Sequence, residues 1–129
     1  MRRILVVEDS ASTRSFIRSA LESSGTLCDI AEASSGFDAL RLLPRGPYDL
    51  VITDINMPDI NGLELVQFIR KSDRHRSTAL IIISTQSSEK DRTRGLSLGA
   101  DEYLPKPLST DVLISAVDRL LSSRPVANG

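Results

Sequence analysis

Tryptophan is absent from this 129-residue chain, and cysteine occurs once, as Cys28. A single cysteine excludes an intramolecular disulfide and argues against a structural zinc site. Lying in an apolar stretch, it reads as a small buried thiol, which fits a reducing, cytoplasmic setting. An excess of charge of one sign is also missing. Sixteen Lys and Arg stand against 17 Asp and Glu, a formal net charge of −1. Without a domain-wide basic surplus, direct nucleic-acid binding by this domain is not expected. No apolar run approaches the length of a membrane span, and the first strand-like run starts too early to leave room for a signal peptide. Internal repeats and low-complexity segments are lacking too. What remains is an ordinary globular composition and enough chain for one domain with a substantial core.

The most telling feature present is Leu50-Val-Ile-Thr-Asp54-Ile-Asn-Met-Pro58, followed by Gly62. An apolar run ends in a carboxylate, and Pro and Gly then stop the backbone from continuing as a strand. Ile4–Val7 likewise runs into Glu8-Asp9, and Ala79–Ile83 into Ser84-Thr85, while Glu102-Tyr-Leu104 meets Pro105-Lys106-Pro107. Strands are expected over Arg3–Val7, Leu27–Ala33, Leu50–Thr53, Leu80–Ile83 and Glu102–Leu104.

Helical stripes lie between and after them: Phe16, Ile17, Ala20 and Leu21; Ala39, Leu40, Leu42 and Leu43; Leu65, Val66, Phe68 and Ile69; and, last, Val112, Leu113, Ala116, Val117, Leu120 and Leu121. Gly25, Gly46 and Gly99 fall where helices should stop. Ser87–Leu98 has few apolar anchors and an interior Gly95, and is expected to form a helix held loosely against the sheet. Five β-α repeats imply a doubly wound parallel sheet with right-handed crossovers and helices on both faces. Residues 1–122 form the domain; 123–129 read as a frayed tail or the start of a linker.

In such a sheet, ligands bind outside the carboxyl ends of the strands, where the strand order reverses. Glu8, Asp9 and Asp54 would converge there with Ser84 and Lys106. Three close carboxylates repel, and a hard divalent cation such as Mg²⁺ or Mn²⁺ removes the conflict. A carboxylate beside such an ion and an ammonium is a competent nucleophile towards phosphorus. Lys106 would bind charge on the transferring phosphoryl oxygens, and Ser84 could donate a hydrogen bond to the product.

With Glu8-Asp9-Ser10, Asp54-Ile-Asn-Met-Pro58 with Gly62, Ser84, Gly99-Ala-Asp-Glu-Tyr103 and Lys106-Pro107 in this order, the chain resembles the receiver domain of bacterial two-component response regulators, the CheY-like group. The resemblance covers residues 2–122 and implies a flavodoxin-like, five-stranded sheet of order 2-1-3-4-5 with five helices. It implies Asp54 as phosphoacceptor, and Glu8, Asp9, Asp54 and the backbone carbonyl of Asn56 as metal site. Lys106 would contact the phosphoryl group, with Ser84 as switch hydroxyl and Tyr103 as switch aromatic. The phosphoryl donor would be a histidine kinase or phosphotransfer protein, and the recipient of the signal a downstream protein or an attached output domain. Release of space by Ser84 would let Tyr103 turn inwards and bias the Ser87–Leu98 helix and the surface it shares with Tyr103 and the last helix.

Ser84 stands where Thr is usual, with Thr85 offering a second register. Leu108 replaces a common aromatic, and Gln86 would lie near the phosphoryl group. A phosphorylation-independent interaction module would have lost an acid, the lysine or the hydroxyl, and none is missing. A flavin-binding loop at Ser10, Ser12 and Thr13 would be opposed by the acids at its mouth, and the Asp-x-Asp pair of aspartate-dependent phosphatases is absent around Asp54. His75, in the polar loop Lys71–Thr78, reads as a solvated histidine.

Overall fold

In a computed structural model that describes residues 1–25, 27–86 and 88–127, five strands alternate with five α-helices. The elements are β1 (Arg2–Val7), α1 (Ala11–Ser23), β2 (Cys28–Ala33), α2 (Gly36–Leu42), β3 (Leu50–Asp54), α3 (Gly62–Lys71), β4 (Ala79–Ser84), α4 (Glu89–Leu98), β5 (Glu102–Pro105) and α5 (Thr110–Ser122). A 3₁₀ turn, Leu43–Arg45, follows α2. Ser87, the first residue of the expected fourth helix, and Asn128 and Gly129 of the expected tail lie outside the described residues. All neighbouring strands are parallel, in the order β2-β1-β3-β4-β5.

The uninterrupted apolar runs have a direct cause, since alternate residues enter two different cores. Ile4, Val6, Ile52, Ile81 and Ile83 pack against Ile17 and Leu21 of α1 and Leu113 and Val117 of α5. Leu5, Val7, Val51, Leu80 and Ile82 pack against Ala39 of α2 and Leu65, Val66 and Ile69 of α3. Every helix starts soon after its strand, because a side-chain oxygen caps its first turn: Ser10, Ser35, Asn61, Ser88 and Ser109 each accept from a backbone N–H. Asn61 and Glu64 complete a reciprocal capping box. Short strand-to-helix loops are what gather the chemistry at one rim.

Helix α4 is indeed lightly anchored, with Gly95 its only buried residue. Gly25 and Gly99 adopt φ of +84° and +125°, as left-handed stops after α1 and α4 require.

Several expectations need correction. Phe16, Phe68 and Val112 are 38%, 50% and 48% exposed. Each neighbours a fully buried residue (Ile17, Ile69, Leu113) and so lies about 100° round the helix from the true core direction. Leu27 is exposed and precedes β2, and Cys28 is half-buried rather than fully enclosed. The segment after α5 is tied down as far as Ala127. Arg2 donates to the carbonyls of Leu121, Arg124 and Pro125, and Ala127 N–H donates to Asp49 at 2.8 Å.

His75 is not solvated: it is only 5% exposed. The turn after α3 folds back through bonds from the N–H groups of His75 and Arg76 to the Ser72 carbonyl. That fold sets His75 beside a small cavity that it lines together with Leu40, Leu43, Pro44 and Phe68. Its Nδ1 has no hydrogen-bond partner there. Burial, reinforced by the Arg74 charge, pushes its pKa below the ordinary histidine value.

The unfolded chain then binds a proton that the folded chain resists. Stability should therefore be full above the unfolded pKa, about 6.5, and fall as pH drops through it, by at most about 1.4 kcal/mol per pH unit. His75 is the only histidine. Denaturant titrations of wild type and His75→Gln should show this slope in the first and not in the second; equal slopes would assign it elsewhere.

Candidate functional site

Asp54 is the last residue of β3, at the carboxyl end of the central strand, and is 5% exposed. Its Oδ1 accepts from the Ile55 N–H at 2.7 Å and its Oδ2 from Lys106 Nζ at 3.1 Å. The chain can turn away tightly because of Gly62. A Cβ there would stand 2.0 Å from the Asp54 carbonyl oxygen, and the Gly62 N–H donates to the Ile55 carbonyl at 2.9 Å.

Glu8 and Asp9 follow β1 but behave differently. Glu8 is fully buried, with Oε2 accepting from Lys106 Nζ at 2.9 Å and Oε1 from the Ser10 N–H at 3.1 Å. Asp9 is exposed. Carboxylate oxygens of Glu8, Asp9 and Asp54 all lie within 4.8 Å of one another.

The electrostatics follow from this crowding. Burial, helped by the Asp54 charge, raises the Glu8 pKa despite the opposing bonds from Lys106 and the Ser10 N–H. Burial works against the Lys106 ammonium, but its bonds to Glu8 and Asp54 outweigh that and hold its pKa above the ordinary lysine value. One ammonium thus serves two buried acids, while Asp9 faces solvent at the rim. The donor set is all hard oxygen, which fits a divalent cation.

Ser84 closes β4 and is buried, whereas Thr85 is exposed. Ser84 is therefore the hydroxyl that faces the interior. Its carbonyl accepts the Lys106 N–H at 2.8 Å, fixing the start of the lysine beside β4. Its Oγ accepts from the Gln86 N–H at 2.9 Å. Tyr103, on β5, is 2% exposed, and its hydroxyl donates to the carbonyl of the same Gln86. The aromatic expected to turn inwards thus stands inside in this structure. Asn56 lies exposed in the loop two residues past Asp54.

Two residues that shape the rim carry no motif of their own. Arg14 donates to the carbonyls of Glu8 and Asp9 at 2.7 and 3.3 Å, pinning the loop that presents both acids. Asp59 accepts from the N–H groups of Phe37, Gly36 and Ile60, which holds its pKa below the usual carboxylate range and clips the loop after Asp54 to the start of α2. Arg14, four residues past the Ser10 cap, and an acid after Pro58 were the only sequence signals for them.

Residues 4–118 match the response regulator receiver domain. The chain belongs to that family. The receiver is 33% identical over 119 residues to the transcriptional regulatory protein CusR of Escherichia coli, covering 92% of this chain and 51% of CusR. To TctD of Salmonella typhimurium it is 36% identical, with the same coverage. It spans about half the length of such relatives.

Among solved structures, the receiver domain of the Francisella response regulator 1452 superposes with a TM-score of 0.87 at 33% identity, covering 95% of this chain and 98% of that one. The chemotaxis response regulator CheY4 of Vibrio cholerae gives 0.86 at 29% identity, covering 94% and 99%. The fold is the CheY-like receiver fold, and the family works in phosphorylation-mediated signalling rather than as conventional enzymes. Among the described residues no helix is long and apolar enough to cross a membrane.

Proposed function

We propose that this receiver accepts a phosphoryl group on Asp54 in a Mg²⁺-dependent reaction and thereby switches its α4-β5-α5 surface. The observation that carries the proposal is the single ammonium of Lys106, held 2.9 Å from Glu8 and 3.1 Å from Asp54 within the cluster of three acids. An Asp54 oxygen attacks phosphorus, the bond from phosphorus to the donor breaks, and the leaving group departs with its electron pair. Lys106 meets the charge on the transferring oxygens, and Ser84 donates to one of them in the product.

Asp9, Asp54 and the Asn56 carbonyl would hold the ion, with Glu8 acting mainly through an outer-shell water. When bound, Mg²⁺ (or Mn²⁺) offsets the repulsion among the acids and the charge on the phosphoryl oxygens. The domain speeds only its own phosphorylation and dephosphorylation. The donor is a histidine kinase or histidine phosphotransfer protein in the cytoplasm. The recipient of the signal is a partner protein or an attached output domain, in keeping with the regulators that this chain half spans.

Incubation with Mg²⁺ and acetyl phosphate should add one acid-stable, base-labile phosphoryl group, and Asp54→Asn should take up none. Equal labelling of that variant would overturn the assignment.

Asp9 supplies a separate test. It is exposed and pairs with no cation among the described residues, so its carboxylate adds repulsion without a structural bond. Asp9→Asn should weaken Mg²⁺ binding by about tenfold or more, as loss of a charged ligand does, while the metal-free protein stays as stable or gains stability. A marked loss of stability without metal would make Asp9 structural.

A further inference from the structure

Glycine in the middle of a helix needs a reason, because alanine is the better helix former at an ordinary position. Gly95 sits inside α4 with no left-handed φ to explain it. It is also the only buried residue of that helix. The explanation lies on β5: a Cβ on residue 95 would stand 2.8 and 3.0 Å from ring carbons Cδ2 and Cε2 of Tyr103, and 3.1 Å from Cδ1 of Ile82. Ile82 and Tyr103 are paired across β4 and β5, so the ring lies over that pair with α4 above it. The edge of the tyrosine occupies the volume a side chain on α4 would fill.

At the far end of the ring, the hydroxyl donates to the Gln86 carbonyl. The N–H of Gln86 donates to Ser84 Oγ at 2.9 Å. From α4 to Ser84 there is an unbroken series of contacts: Gly95, the Tyr103 ring, Gln86, Ser84.

We propose that Gly95 is a positioning residue of the switch: by lacking a side chain it makes the inward seat of Tyr103, and through the Tyr103–Gln86–Ser84 bonds that seat joins α4 to the hydroxyl beside Asp54. The inference rests on the proposed role of Ser84 and Asp54. A Ser84 hydroxyl that turns towards a phosphoryl oxygen gives up the Gln86 N–H. The peptide that also receives the Tyr103 hydroxyl is then free to shift, and the ring bears directly on α4 at Gly95. Since α4 has so few other anchors, the contact at Gly95 governs where the helix sits.

Gly95→Ala tests this, because helix propensity and ring clash push in opposite directions. The chain has two tyrosines and no tryptophan, so in a Tyr48→Phe background tyrosine emission reports on Tyr103 alone. Gly95→Ala should raise acrylamide quenching of that emission several-fold, as the ring is driven out. It should also reduce the beryllofluoride-induced change in hydrogen exchange across α4, while phosphoryl uptake at Asp54 proceeds. Placing Tyr103→Ala in the same chain should reverse the stability effect, Gly95→Ala becoming stabilising once the ring is gone.

Unchanged quenching, or the same sign of stability change with and without the ring, would overturn the proposal. If Gly95→Ala fails to fold and the double variant folds, the clash is with Tyr103 and the proposal stands; if neither folds, α4 needs glycine for another reason and it falls. Loss of phosphoryl uptake in the Gly95-bearing parent would instead strike at the role of Asp54, a separate failure.

Discussion

Lys106→Ala should cost the metal-free protein about 3 kcal/mol at neutral pH, because it leaves acids with almost no solvent access without their counter-charge. The side chains of Glu8 and Asp54 are 1% and 7% exposed, so water offsets the lost ammonium only in part. The loss should depend on pH with a defined sign. Burial already raises the Glu8 pKa, and removing the Lys106 bond, the strongest opposing influence, raises it further. The folded variant therefore holds a proton that the unfolded chain releases. Its stability must fall as pH rises above the ordinary glutamate pKa and recover as pH is lowered towards it. Mg²⁺ should restore part of the loss at neutral pH by binding only the folded form. Phosphoryl uptake should be severely slowed in the same variant even with Mg²⁺ present. If the variant unfolds at the same denaturant concentration as wild type without metal, the ammonium does not hold the acids together.

Ser84→Ala should separate the chemistry from its consequence. Asp54 keeps its bond from Lys106 and its place at the end of β3, so phosphoryl uptake should persist. The Gln86 N–H, however, loses its acceptor, and no hydroxyl is left to sense the phosphoryl oxygens. A bound group shifts a two-state element only through contacts that differ between the states. Beryllofluoride should therefore change hydrogen exchange between Ser84 and Lys106 strongly in wild type and hardly at all in Ser84→Ala. Identical responses would take the switch away from Ser84.

Much of the site was legible because of how parallel sheets are built. Strands covered on both faces are apolar throughout, so a carboxylate that ends such a run, as Asp54 and Glu8 do, falls at the rim by necessity. Lys106 was marked by the prolines on either side of it; five β-α repeats implied a parallel sheet with helices on both faces, while its order came only from the resemblance to receiver domains.

What the chain did not disclose is which acid is enclosed. Adjacent in sequence, Glu8 is buried and Asp9 exposed, because an ammonium 98 residues away reaches the first. His75 looked solvated, since its neighbours in sequence are polar; the apolar residues that line a cavity with it come from α2, the 3₁₀ turn after it and α3. Tyr103 was expected to turn inwards; it stands inside in this structure, where a Cβ on Gly95 of α4 would come within 2.8 Å of its ring. In each case a long-range contact decided, and local composition carries little trace of it.

The central claim is that Asp54, among three clustered acids, takes the phosphoryl group. Borohydride reduction of the labelled protein converts a phosphorylated aspartate to homoserine, which peptide mapping by mass spectrometry locates. Homoserine at position 54 and at no other acid is the expected result; homoserine at position 9, or none at 54 in protein that carries the label, would contradict it.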